Sequence, residues 1–142
     1  MPLPDAIRYI MPSMRTILVI EDDSDAIEML TAFLEKFGYK VVGTENGLDG
    51  LTMIKFLKPD VIIVDLKIPG MDGKQLIKQI RENVYMKGKM VVVMSGKFKE
   101  DYNGETVPDL DAQAVFSKPI SLKKMQKLYE IVEGHYSQSA SR

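Results

Sequence analysis

Short aliphatic runs alternate along this chain with longer stretches in which apolar residues return every three or four positions. TILVI (16–20) is a continuous apolar run, the pattern of a strand covered on both faces. Ala26, Leu30, Phe33, Leu34 and Phe37 follow at helical spacing until Gly38. KVVGT (40–44) reads as a second strand, Asn46-Gly47 as a turn, and Leu51, Ile54 and Leu57 stripe a helix over 48–57 that ends before Pro59. VIIV (61–64) is a third strand, Leu76, Ile77 and Ile80 mark a third helix, and MVVVM (90–94) is a fourth strand. AVF (114–116) is a short fifth, and Leu122, Met125, Leu128 and Val132 stripe a closing helix. Such alternation predicts an α/β domain, a doubly wound parallel sheet with right-handed crossovers. Residues 95–113 resist the pattern. A fourth helix belongs there, but Asn103-Gly104 and Pro108 break it up, so a loop with at most a short helix is expected.

Composition narrows the possibilities. The 142 residues fit one domain, are 45% hydrophobic and 27% charged, and carry a formal net charge of −1. That balance argues against direct nucleic-acid binding or attraction to an anionic membrane. Without cysteine, disulfides, thiolate metal sites and cysteine nucleophiles are excluded. No apolar run is long enough to span a bilayer. The prolines and Asp5 of MPLPDAIRYIMPSM do not make a signal peptide, so a cytoplasmic protein is expected. Residues 1–14 read as an N-terminal extension with AIRYI as a possible short helix, 15–134 as the domain, and 135–142 as a polar tail.

In open parallel sheets, ligands bind beyond the carboxyl ends of the strands. The residues there are Glu21 and Asp22 after the first run, Asp65 after the third, Ser95 after the fourth and Lys118 after the fifth. Crowded carboxylates repel one another. A hard divalent cation relieves that strain, and Mg²⁺ is commonly held by one or two carboxylates with water and phosphate oxygens. With the repulsion offset, one carboxylate can attack a phosphoryl group to give an acyl phosphate. The ammonium of Lys118 and the hydroxyl of Ser95 would stabilise the transferring oxygens.

Four separated motifs, ILVIEDD, VDLKIPGMDG, VVVMSG and FSKPI, stand in an order and at spacings that resemble the response-regulator receiver domain of two-component signalling, most of all its single-domain, chemotaxis-regulator-like form. The resemblance covers about residues 15–134. It implies a flavodoxin-like five-stranded parallel sheet of order 2-1-3-4-5, with the fourth helix here short or irregular. It implies that Asp65 accepts the phosphoryl group from a histidine kinase or phosphotransfer protein. Asp22, Asp65 and the backbone carbonyl of Lys67 would ligate Mg²⁺, with Mn²⁺ as a possible substitute, and Glu21 would act through a metal-bound water. Ser95 would move toward the phosphoryl group and Lys118 would pair with it. Lys118-Pro119 would be a cis peptide, and Gly73 would use glycine's freedom at positive φ to leave the phosphorylation loop.

Three features depart from that family. The fourth helix is eroded. The aromatic residue usual three positions before the lysine is Val115, and the neighbouring Phe116 must face the other side of the sheet. Coupling is therefore expected through residues 96–113 rather than through a turning ring. Lys67 and Lys97, two residues beyond Asp65 and Ser95, flank the route of water to an acyl phosphate, so slow self-dephosphorylation is expected.

Plainer roles compete for several residues. Asp23 suits a helix N-cap better than a metal site, and the ten methionines are core fillers. His135 lies in the tail, beyond the closing helix. Lys123, Lys124 and Lys127, with Lys97 and Lys99, form either a docking face or an ordinary solvated one. The expected function is a stand-alone phosphorylation switch, not a conventional enzyme, whose output is binding to a downstream protein. A constitutive binding module on the same fold is the alternative. An aspartyl phosphatase of the haloacid-dehalogenase type would need an aspartate where Lys67 stands, and EDDSDA would repel the phosphate of a flavodoxin-type cofactor.

Overall fold

The computed structural model describes residues 15–140, so the expectation for residues 1–14 lies outside the described residues. Strands β1 (Thr16–Ile20), β2 (Lys40–Thr44), β3 (Val61–Val64), β6 (Met90–Ser95) and β8 (Ala114–Ser117) pair in parallel, in the order β2-β1-β3-β6-β8. This is the expected arrangement of five. A sixth strand, β7 (Asn103–Glu105), was not foreseen; it lies antiparallel against the outer edge of β8. A two-stranded hairpin, β4 (Lys67–Ile68) and β5 (Met71–Asp72), comes after the third strand.

Each helix starts and stops for readable reasons. Asp23 caps α1 (Ser24–Glu35) by accepting from the Asp25 amide, and its role is the N-cap expected of it. Asn46 caps α2 (Gly47–Leu57) by accepting from the Leu48 and Asp49 amides. Asp72 caps α3 (Gly73–Glu82). Ser121 opens α4 (Leu122–Ala140), its hydroxyl accepting from the Lys124 amide.

Strand side chains alternate between two cores. Ile17, Val19, Ile63, Val92, Met94 and Phe116 pack toward α1 and α4, whereas Leu18, Ile20, Ile62, Val64, Val93 and Val115 pack toward α2 and α3. Val115 and Phe116 are both fully buried, on opposite faces as the one-residue offset requires. VIIV is buried along its whole length, which makes β3 a rigid mount for the carboxylate of Asp65 at its end.

One local expectation is met with an unforeseen strand, and another needs correction. Among the described residues, 96–113 contain no helix at all; β7 is their regular element. Gly104 suits the path of β7, with φ at +97° and Ile131 so near that a Cβ would stand 2.7 Å from it. This close approach seats β7 against Ile131 and Lys127 of α4 and Phe116 of β8. His135 is not beyond the closing helix, because α4 continues to Ala140. The Tyr136 hydroxyl donates to the Asp60 carbonyl, and the Arg15 guanidinium lies over its ring, so the last turns have a tertiary anchor that the polar composition concealed.

Candidate functional site at the carboxyl edge of the sheet

β1 and β3 run side by side in parallel and therefore end together, which brings Glu21 and Asp65 to the same edge. The Asp65 amide donates to the Ile20 carbonyl at 3.0 Å, continuing the ladder one residue beyond the strand. Both acids are buried, at 3% and 4% exposure, while Asp22 is exposed beside them. One carboxylate oxygen from each of Glu21, Asp22 and Asp65 lies within 4.8 Å of the others.

β8 delivers the counter-charge. Lys118 Nζ donates to Asp65 Oδ2 at 2.8 Å and lies 2.7 Å from Glu21 Oε2. The remaining carboxylate oxygens meet backbone: Asp65 Oδ1 accepts from the Lys67 amide at 2.9 Å, and Glu21 Oε1 from the Asp23 amide at 3.2 Å. Burial, with a smaller push from Asp65, raises the Glu21 carboxyl to about 7 against the opposing hydrogen bond from Lys118. Burial alone would lower the Lys118 ammonium, but its bonds to Asp65 and Glu21 outweigh it, and the net direction is upward. The edge is thus an oxygen-rich acidic cluster held closed by one cation.

Ser95 ends β6, fully buried; its carbonyl accepts from the Lys118 amide at 2.9 Å and its hydroxyl from the Lys97 amide at 3.2 Å. The Lys118-Pro119 bond is cis. Lys67 and Lys97 are exposed, beside the edge. Gly73 sits as expected at the exit of the loop, but for a different reason. Its φ is not positive; a Cβ there would collide with the backbone of Leu66, so the residue is fixed by close approach.

With this geometry in place, comparison with known proteins decides the family. The model of the response regulator receiver domain matches residues 17–130. The chain belongs to the response-regulator receiver family. Protein PilH of Pseudomonas aeruginosa is 34% identical over 87 residues, covering 61% of this chain and 72% of PilH. Sporulation initiation phosphotransferase F of Bacillus subtilis is 29% identical over 113 residues, covering 78% and 86%. Among solved structures, a CheY-like receiver domain from Methylobacillus flagellatus is 27% identical with a TM-score of 0.68, covering 85% of this chain and 100% of that one. The chemotaxis regulator CheY4 of Vibrio cholerae, at 23% identity and a TM-score of 0.71 over 84% and 99%, shares the fold. The receiver is therefore a two-component signalling domain. Among the described residues no helix is long and apolar enough to cross a membrane.

Sequence reasoning missed how the receiver holds its unusual segment. Lys124, read as part of a basic outer face, is buried; its Nζ donates to the Ser117 carbonyl at 2.5 Å and to Asp101 Oδ1 at 2.6 Å. The signal was present: Lys124 stands four and eight positions before the core residues Leu128 and Val132, on the same helical stripe. Ser117 Oγ accepts from the Tyr102 amide at 2.9 Å and donates to the Glu100 carbonyl at 2.7 Å. At the other end of the segment, Arg81 donates to the carbonyls of Asp111 at 2.9 Å and Lys89 at 3.0 Å, and to the Gln113 side chain.

Proposed function

We propose that the receiver is a phosphorylation switch in which Asp65 accepts a phosphoryl group from a histidine kinase or phosphotransfer protein. A single observation carries this reading: the buried Asp65 carboxylate shares the Lys118 ammonium with Glu21, at 2.8 and 2.7 Å, on the edge where Asp22 completes the acidic cluster. Such a carboxylate is oriented and paired with a group that can later neutralise phosphoryl oxygens.

The donor set suits a hard divalent cation. Asp22, Asp65 and the carbonyl of Lys67 would hold Mg²⁺ or Mn²⁺, with Glu21 engaged through water. Bound there, the cation supplies positive charge against the three carboxylates and the incoming phosphoryl oxygens. The chain's residues do the rest. An Asp65 oxygen forms the new bond to phosphorus while the bond to the donor's leaving atom breaks, and that atom departs with the electron pair. Lys118 exchanges its carboxylate partners for a phosphoryl oxygen, and the Ser95 hydroxyl donates to another. The exposed Lys67 and Lys97 flank the product and shield it from water.

Output is a shift between two surface arrangements that favours binding of a downstream protein. The test is exposure of the purified protein to acetyl phosphate with and without Mg²⁺, read by intact mass, beside Asp65→Asn. We expect a Mg²⁺-dependent gain of one phosphoryl group that the variant lacks. No gain under saturating donor would transfer support to a constitutive binding module.

A further inference from the structure

Lys124 is an anomaly that the phosphoacceptor chemistry leaves unused. It is a buried ammonium in the first turn of α4, where the helix dipole disfavours a cation. A buried cation persists only when specific partners hold it. Its partners are the Ser117 carbonyl and the carboxylate of Asp101, a side chain that is itself 81% exposed.

Ser117 is the hub of these contacts. Its amide donates to the Tyr102 carbonyl at 3.0 Å, its hydroxyl bridges the Tyr102 amide and the Glu100 carbonyl, and its own carbonyl accepts from Lys124. The next residue is Lys118, whose amide reaches Ser95 and whose ammonium holds Asp65 and Glu21. A closed circuit results. It runs from Lys118 through Ser117 to residues 100–102, back along 96–99 to Ser95, and from the Ser95 carbonyl to the Lys118 amide, with Asp65 attached through the Lys118 ammonium. Lys124 bonds to that circuit at two points, at Ser117 and at Asp101.

We propose that Lys124 is a positioning residue for the phosphoacceptor edge, fixing Lys118 and the segment 100–105 in one register through the Ser117 peptide. This rests on the reading of Asp65 as phosphoacceptor. Lys124 touches no reacting atom. It acts by holding the peptide from which Lys118 projects, and small errors in such placement slow a reaction strongly. It also couples the edge to the surface: what moves Lys118 strains the clamp on residues 100–102, and reciprocally.

The test compares Lys124→Met with Asp101→Asn in the full chain. The first removes both bonds of the ammonium; the second weakens only the exposed arm. Rates of phosphoryl gain from saturating acetyl phosphate are read by intact mass, and amide exchange of Tyr102 and Lys118 by NMR. We expect Lys124→Met to slow phosphorylation about tenfold and to speed exchange at both amides. Asp101→Asn keeps the rate within about twofold, because the Ser117 carbonyl still holds the ammonium and the substituted amide oxygen can still accept from it. A merely structural lysine would lower the melting temperature while leaving the rate of the folded fraction unchanged, and that result overturns the proposal. Should Lys124→Met fail to fold, exchange in the wild type decides: the Tyr102 and Lys118 amides must open with one common free energy, and independent opening overturns it. Wild-type protein that gains no phosphoryl group would instead remove the phosphoacceptor reading, and this proposal with it; phosphorylation unaffected by Lys124→Met removes this proposal alone.

Discussion

Asp65 and Tyr102 are both held by hydrogen bonds from the end of β8, but different things stand behind them. Behind Asp65 is a strand buried along its whole length, paired on both sides and covered by helices on both faces. Behind Tyr102 is a segment that contributes one three-residue edge strand, packs on one core only, and is tied by polar side chains at both ends: Ser117 and Lys124 near its start, Arg81 and Gln113 near its end. The carboxylate's place is set by packing, which is distributed over many residues. The segment's place is set by the packing of Phe98, Tyr102, Val107, Leu110 and Ala112 on one core together with a few polar contacts at its two ends. A switch needs both kinds of region, one that keeps the chemistry still and one whose arrangement can change at small cost.

The largest expected effect tests the packed region. Phe116→Ala empties a fully buried site in the core beneath α1 and α4 and should cost about 3–5 kcal/mol, read as a lowered denaturant midpoint with all frame amides opening together. Next comes Arg81→Ala, which strips donors from the carbonyls of Asp111 and Lys89 and should cost about 2 kcal/mol. Exchange should rise most at 110–113, and a uniform rise across the sheet would break the distinction between the two regions. The smallest effect concerns neither packing nor anchors. Replacing both Lys67 and Lys97 by Ala should shorten the lifetime of phosphorylated protein about threefold, equivalent to ~0.6 kcal/mol. A wild-type half-life of seconds would already rule out the lysine shield.

The same contrast explains what the sequence disclosed. Strands and helices were legible because each buries a stripe of defined period, and strand ends such as Asp65 and Lys118 were legible because parallel strands finish at one edge. Val115 and Phe116 fell on opposite faces because a strand's period leaves no choice. Residues 96–113 carried no period, and the clamp that replaces a helix joins positions far apart in sequence, such as Asp101 with Lys124 and Arg81 with Gln113. Lys124 was misread because its charge was weighed without its place on the Leu128–Val132 stripe. Gly73 was misread in the reverse way: the residue was right, but its reason is close approach to Leu66, which only the folded chain reveals.

Asp65, and no neighbouring acid, is proposed to carry the phosphoryl group. Reductive trapping tests it most directly. Borohydride converts an acyl phosphate to the corresponding alcohol, so the modified side chain can be located by peptide sequencing in the mass spectrometer after treatment with acetyl phosphate and Mg²⁺. We expect reduction at Asp65, absent when Mg²⁺ is withheld. Reduction at Glu21 or Asp22, or at no carboxylate of the cluster, would contradict it.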